Sequence, residues 1–97
     1  MFCTLNLRTK GQVININVVG IGTLNNVLIH PREVYKSAIL CNASNIILAH
    51  NHPSGNPEPS RQDMDVTKRL AEAGRLMGIE VLDHVVVADD RYFSFRE

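Results

Sequence analysis

The chain has 97 residues, 44% of them hydrophobic and 21% charged, with ten Lys and Arg set against ten Asp and Glu. That length suits one domain, and the composition excludes a disordered or collagen-like chain. A formal charge of zero also argues against a protein held to nucleic acid by phosphate neutralisation, which needs a basic excess.

Phe2 to Leu7 alternates apolar and smaller polar side chains, Arg8-Thr9-Lys10-Gly11-Gln12 reads as a turn, and Val13 to Val19 is rich in β-branched residues. Together these predict an antiparallel hairpin. Gly20 and Gly22 suggest a bend before a third strand over Leu24 to Ile29. His30-Pro31-Arg32-Glu33 opens a helix, with proline at the first helical position, where its missing N–H costs nothing. Val34, Ala38 and Cys41 form its apolar stripe, and Asn42 is a C-terminal stop. Asn45 to Ala49 is a short apolar run, which predicts a strand buried on both faces. Three prolines and a glycine between His52 and Pro59 impose a loop. Ser60 caps a long helix with acidic side chains in its first turn. Its core stripe is expected to run through Met64, Thr67, Leu70 or Ala71, Gly74 and Met77, ending near Gly78. Val81 to Val87 is a further strand, Asp89-Asp90 a turn, and Tyr92 to Phe95 the last strand of a hairpin. The order β-β-β-α-β-α-β-β predicts an α+β fold, a central mixed β-sheet flanked by helices.

Two cysteines, Cys3 and Cys41, are too few for a secreted disulfide scaffold and favour a reducing compartment. No apolar run approaches the ~20 residues of a membrane span, and the first ten residues lack a signal-peptide pattern. A cytoplasmic protein with no membrane partner is expected.

The chemistry concentrates where the apolar run ends, at His50-Asn51-His52. Residues i and i+2 of a strand share a face roughly 6.6 Å apart, so two imidazoles can converge on one ion. Asp63 follows eleven residues after His52, in the first turn of the long helix. The short, proline-stiffened loop between them brings an oxygen donor to the two nitrogens. Two histidines and an aspartate leave a fourth tetrahedral position for water, the mark of a catalytic rather than a structural zinc site. Ser60, one helical turn before Asp63, can donate to an oxyanion or serve as the helix cap, and the two roles compete for one hydroxyl. A His-x-His pair by itself equally describes a polar strand face with satisfied hydrogen bonds.

The whole string from His50 to Asp63, H-N-H-P-S-G-N-P-E-P-S-R-Q-D, resembles the H-x-H-P-x(6)-S-x-x-D signature of the JAMM metalloproteases, also called the MPN domain. Residues 30–42 (HPREVYKSAILCN), 46–55 (IILAHNHPSG) and 67–95 are similar to the RadC-like branch of that family, so the resemblance covers essentially the whole chain. It implies a cytidine-deaminase-like sandwich and one zinc ion held by His50, His52 and Asp63. It further implies that Ser60 steadies the tetrahedral intermediate, and that the reaction is hydrolysis of an amide, peptide or isopeptide bond. It names a protein or peptide substrate without identifying one, and it suggests DNA association by the branch's historical name only. The zinc-deaminase pattern, H-x-E with a later P-C-x-x-C, is absent.

The family's general base is a glutamate just before the first strand, which here would fall at or before Met1. Glu33 is the one glutamate upstream of His50, but it matches a different element of the family and is a weak candidate. Residues 1–97 are therefore expected to be a single domain without the N-terminal helical segment of longer relatives, binding zinc but turning over roughly 10²–10⁴ more slowly. The alternatives are a catalytically silent interaction module and a DNA-repair-associated protein, the latter implied by the branch's name. His84 and its neighbour Asp83 are candidates for holding a ligand histidine by its other ring nitrogen.

Overall fold

A computed structural model describes residues 1–20, 29–52 and 55–96. Its elements are β1 (Phe2–Leu7), β2 (Val13–Gly20), α1 (Pro31–Leu40), β3 (Asn45–Asn51), α2 (Arg61–Met77), β4 (Glu80–Ala88) and β5 (Arg91–Ser94). The third strand expected over Leu24 to Ile29 lies, apart from Ile29, outside the described residues.

The five strands form one mixed sheet in the order β2-β1-β3-β4-β5, as the α+β reading predicts. β1 pairs antiparallel with β2 and β3, β4 pairs antiparallel with β5, and β3 runs parallel to β4. The first hairpin closes through Gly11 at φ 82°, with Arg8 N–H on the Gln12 carbonyl at 2.9 Å. Parallel neighbours need a crossover, and α2 supplies it.

Cross-strand partners share a sheet face, so the register defines two surfaces. Thr4, Leu48 and His84 form one row, and Phe2, His50 and Val86 the next; all six are buried. Both described helices cover this face. Asn6 donates to Ser37 Oγ of α1 at 2.9 Å, and His84 meets Thr67 of α2. On the opposite face Ile16, Val18, Val87 and Tyr92 are exposed. β3 is accordingly not buried equally on its two sides: Ile46 and Leu48 are sealed, whereas Ile47 and Ala49 are half-buried. Among the described residues no helix is long and apolar enough to cross a membrane.

The phase of α2 differs from the expected stripe. Its buried residues are Asp63, Leu70 and Gly74, while Met64 and Met77 are exposed. Two close contacts set this rotation. The Ser60 cap draws Asp63 inward, and Tyr35 of α1 donates its hydroxyl to the Leu70 carbonyl at 2.6 Å. Burial of that phenol pushes its pKa up to about 12. A Cβ on Gly74 would overlap the Ile79 carbonyl just past the end of α2 and lie 2.5 Å from Tyr35 Oη of α1. Gly74→Ala should therefore lower the urea midpoint by roughly 1–3 kcal/mol of stability, despite the ~1 kcal/mol that alanine gains in a helix. An unchanged or raised midpoint would show that the helices separate freely at this crossing.

Candidate metal centre

His50 follows Ile46 and Leu48 on the inward parity of β3, so the strand carries its ring into the core. The Phe2 ring stacks on it with centroids 5.8 Å apart. His52 lies one residue beyond the strand, its N–H bound to the Val87 carbonyl at 2.8 Å. Its Nδ1 faces the Asn56 carbonyl at 2.9 Å. A carbonyl only accepts, so Nδ1 carries the hydrogen, and Nε2 of the neutral ring is a bare lone pair.

Asp63 is placed by a capping box. Ser60 Oγ accepts from the Asp63 N–H at 3.1 Å, and Asp63 Oδ2 accepts from the Ser60 N–H at 2.6 Å. These contacts sink the carboxylate to complete burial. His50 Nε2 then lies 2.9 Å from Asp63 Oδ1, and His52 Nε2 lies 3.0 Å from Oδ2. Asp63 Oδ1 is buried and has no hydrogen-bond donor among the described residues. The structure thus brings together His50, His52 and Asp63, from a strand, a loop and a helix start.

Ser60 stands at the edge of the same cluster. Its oxygen accepts from the Asp63 amide, which leaves the hydroxyl hydrogen as a donor. Capping and donation use different parts of one hydroxyl, so the competition expected between them does not arise.

His84 is the fourth member. Its Nε2 lies 3.1 Å from His50 Nδ1, and its Nδ1 lies 2.5 Å from Thr67 Oγ1. The ring is fully buried, stacked on Phe95 at 4.8 Å and met edge-on by Phe2 at 5.9 Å. Donor atoms of His50, Asp63 and His84 fall within 4.8 Å of one another, and imidazole with carboxylate is a donor set that divalent metals take. Burial disfavours the charged imidazole, holding His84 down to about 4 and His50 below its ordinary value.

Two other candidates lie apart from this cluster. Asp83 points to the opposite face from His84 and accepts from Ser94 Oγ at 2.5 Å and the Arg96 N–H at 3.1 Å, pinning the end of the chain. Glu33 is exposed and lines a depression with Asn15, Asn17 and Lys36. Thr67 is the residue that pattern reading assigns to packing alone. The signal for its role is its place four residues after Asp63, where a hydroxyl can reach back to the Asp63 carbonyl, here at 2.7 Å.

The sequence profile described as "RadC-like JAB domain" matches residues 1–97. The chain belongs to the RadC-like JAB family. Relatives include a "UPF0758 protein" of Geobacillus thermodenitrificans (strain NG80-2), 54% identical over 96 residues that make up 99% of this chain and 42% of the relative. Others are a "UPF0758 protein" of Moorella thermoacetica, 55% identical over the same coverage, and one of Methanosarcina acetivorans at 51%. This RadC-like domain spans 42% of the length of those curated relatives.

The depressed His84 value has a thermodynamic consequence. The unfolded imidazole titrates near ~6.5, the folded one at about 4. Between those values the unfolded chain binds more protons, so stability falls as pH falls through that window. The metal-free chain should lose on the order of 3 kcal/mol from this group between about pH 7 and pH 4. Urea midpoints measured across the range check this, and a flat profile would mean that the ring is solvated.

Proposed function

We propose that this chain carries the metal-binding, hydrolytic core of a zinc-dependent metallohydrolase that cleaves an amide, peptide or isopeptide bond in a protein or peptide substrate. One observation carries the reading. Asp63 Oδ1, buried and without a donor, faces His50 Nε2 at 2.9 Å, while Oδ2 faces the bare Nε2 of His52 at 3.0 Å. With the hydrogen of each ring on its Nδ1, lone pairs are opposed at that separation and repel strongly out of water, and a cation between them turns repulsion into ligation.

His50, His52 and Asp63 would hold that cation. His84 Nε2 is already engaged by His50 Nδ1, so His52 completes the set in its place. Two nitrogens and a carboxylate suit zinc and leave one position open, as catalytic sites do. Zinc supplies Lewis acidity there, acidifying water toward a pKa of ~7 and polarising a carbonyl. Ser60 contributes its hydroxyl hydrogen to the oxyanion that forms when the carbonyl is attacked. Asp63, the acidic partner of both histidines, is committed as a ligand, and the proton shuttle is assigned to a carboxylate outside the described residues. β1 starts beside the cluster, where Phe2 pairs with His50.

Mass spectrometry of the native chain should find near-stoichiometric zinc after reconstitution, lost in His52→Ala and in Asp63→Asn. The asparagine retains an oxygen that can cap the helix, so its loss of metal would not be a folding effect. Absence of metal from the wild-type chain would overturn the reading.

Ser60→Ala should keep the metal and lose about 1 kcal/mol of stability. In a form of the protein that hydrolyses a peptide or isopeptide substrate in a chelator-sensitive way, it should lower kcat by roughly 10²–10³. An unchanged kcat would leave Ser60 as a cap alone.

A further inference from the structure

Hydrogens can be assigned along the buried contacts from Asp63 through Thr67 and His84 to His50. Thr67 Oγ1 lies 2.7 Å from the Asp63 carbonyl, which only accepts, so the single hydroxyl hydrogen is spent there. Thr67 Oγ1 can then only accept from His84 Nδ1, 2.5 Å away. A ring buried between two phenyl groups holds one hydrogen, so His84 Nε2 is a lone pair. It must accept from His50 Nδ1 at 3.1 Å. His50 in turn holds its hydrogen on Nδ1, and its Nε2 is bare where it meets Asp63 Oδ1.

We propose that Thr67, acting through His84, locks His50 in the tautomer whose Nε2 is open to a metal, which makes Thr67 and His84 positioning residues for metal capture. The significance for metal rests on the metallohydrolase reading; the tautomer assignment rests on the Thr67 and His84 contacts, which oppose the pull of Asp63 Oδ1 on a hydrogen at His50 Nε2. The relay begins at the backbone carbonyl of Asp63 and ends at its carboxylate, closing a ring through α2, β4 and β3. Without the threonine oxygen, His84 Nδ1–H loses its acceptor and the ring gains by moving its hydrogen to Nε2. His50 Nδ1 must then accept, and its own hydrogen moves to Nε2, where it donates to Asp63 Oδ1. A metal would have to displace that hydrogen. Partners of this kind typically change metal affinity 10–100-fold.

Two-bond ¹H–¹⁵N correlation spectra of the labelled, metal-free chain distinguish a protonated ring nitrogen from a bare one. Both His50 and His84 are expected as Nδ1–H tautomers, and an Nε2–H signal for His50 would overturn the proposal without any variant. In Thr67→Val, His50 should acquire the Nε2–H form, and zinc affinity measured against a chromophoric chelator should fall 10–100-fold. Thr67→Ser should restore both. Loss of stability alone would not move the tautomer, so wild-type tautomers and affinity in a folded Thr67→Val chain would overturn the lock. Wild-type tautomers as assigned, in a chain that takes up no zinc, would uphold the lock and sink the metallohydrolase reading instead.

Discussion

The reciprocal cap between Ser60 and Asp63 is the contact on which the rest of the arrangement depends. A carboxylate is among the side chains least often buried unpaired, yet this one is removed from water completely. Its position at the start of a 17-residue helix makes that tolerable, because the backbone N–H of Ser60 donates to it and the exposed amides of the first turn favour negative charge. The same cap turns α2 so that Thr67, Leu70 and Gly74 follow Asp63 inward. It thereby sets the helix against α1 and delivers the threonine hydroxyl to His84.

The sheet supplies the complementary half. Leu48 pairs with His84 across parallel strands, which places His50 diagonally one row further on. Diagonal neighbours lie roughly 7–8 Å apart at Cα, a span that two imidazoles can bridge, and here their nitrogens meet at 3.1 Å. A shift of one residue in either strand would send one ring to the opposite face. The order of strands also matters, since β3 is flanked by β1 and β4. Both neighbours can therefore contribute walls: Phe2 on one side, His84 and beyond it Phe95 on the other.

Much of this was legible in the residues. The string from His50 to Asp63 predicts the cap at Ser60 and the approach of Asp63 to both histidines, because strand parity and prolines leave the chain few alternatives, whereas nothing in it brings His84 into the donor group. The phase of α2 was not. Met64, Thr67, Leu70 or Ala71, Gly74 and Met77 make as regular a stripe as Asp63, Thr67, Leu70 and Gly74, and hydrophobicity favours the version with the methionines. What decides between them is a polar contact at the cap and the close approach of Tyr35, neither of which has a periodic signature. The half-covered outer side of β3 escaped for a similar reason: Ile47 and Ala49 are apolar, and composition alone does not say which sheet face the helices occupy. Thr67 hid as a stripe member, since nothing in a linear reading distinguishes a hydroxyl that packs from one that reaches back four residues.

The double duty of Asp63 bears on how such a protein can change over generations. On the metallohydrolase reading, replacing Asp63 by a residue with no side-chain acceptor would remove a metal donor together with the acceptor of the Ser60 N–H, so chemistry and the start of the helix would be lost at once. His52 is different. It sits half-exposed at the strand end, and besides Asp63 its side chain has only the loop carbonyl of Asn56 as a hydrogen-bond partner among the described residues. On the same reading, relatives that had given up hydrolysis but kept the domain would be expected to drift first at position 52, with the aspartate retained for its part in the cap.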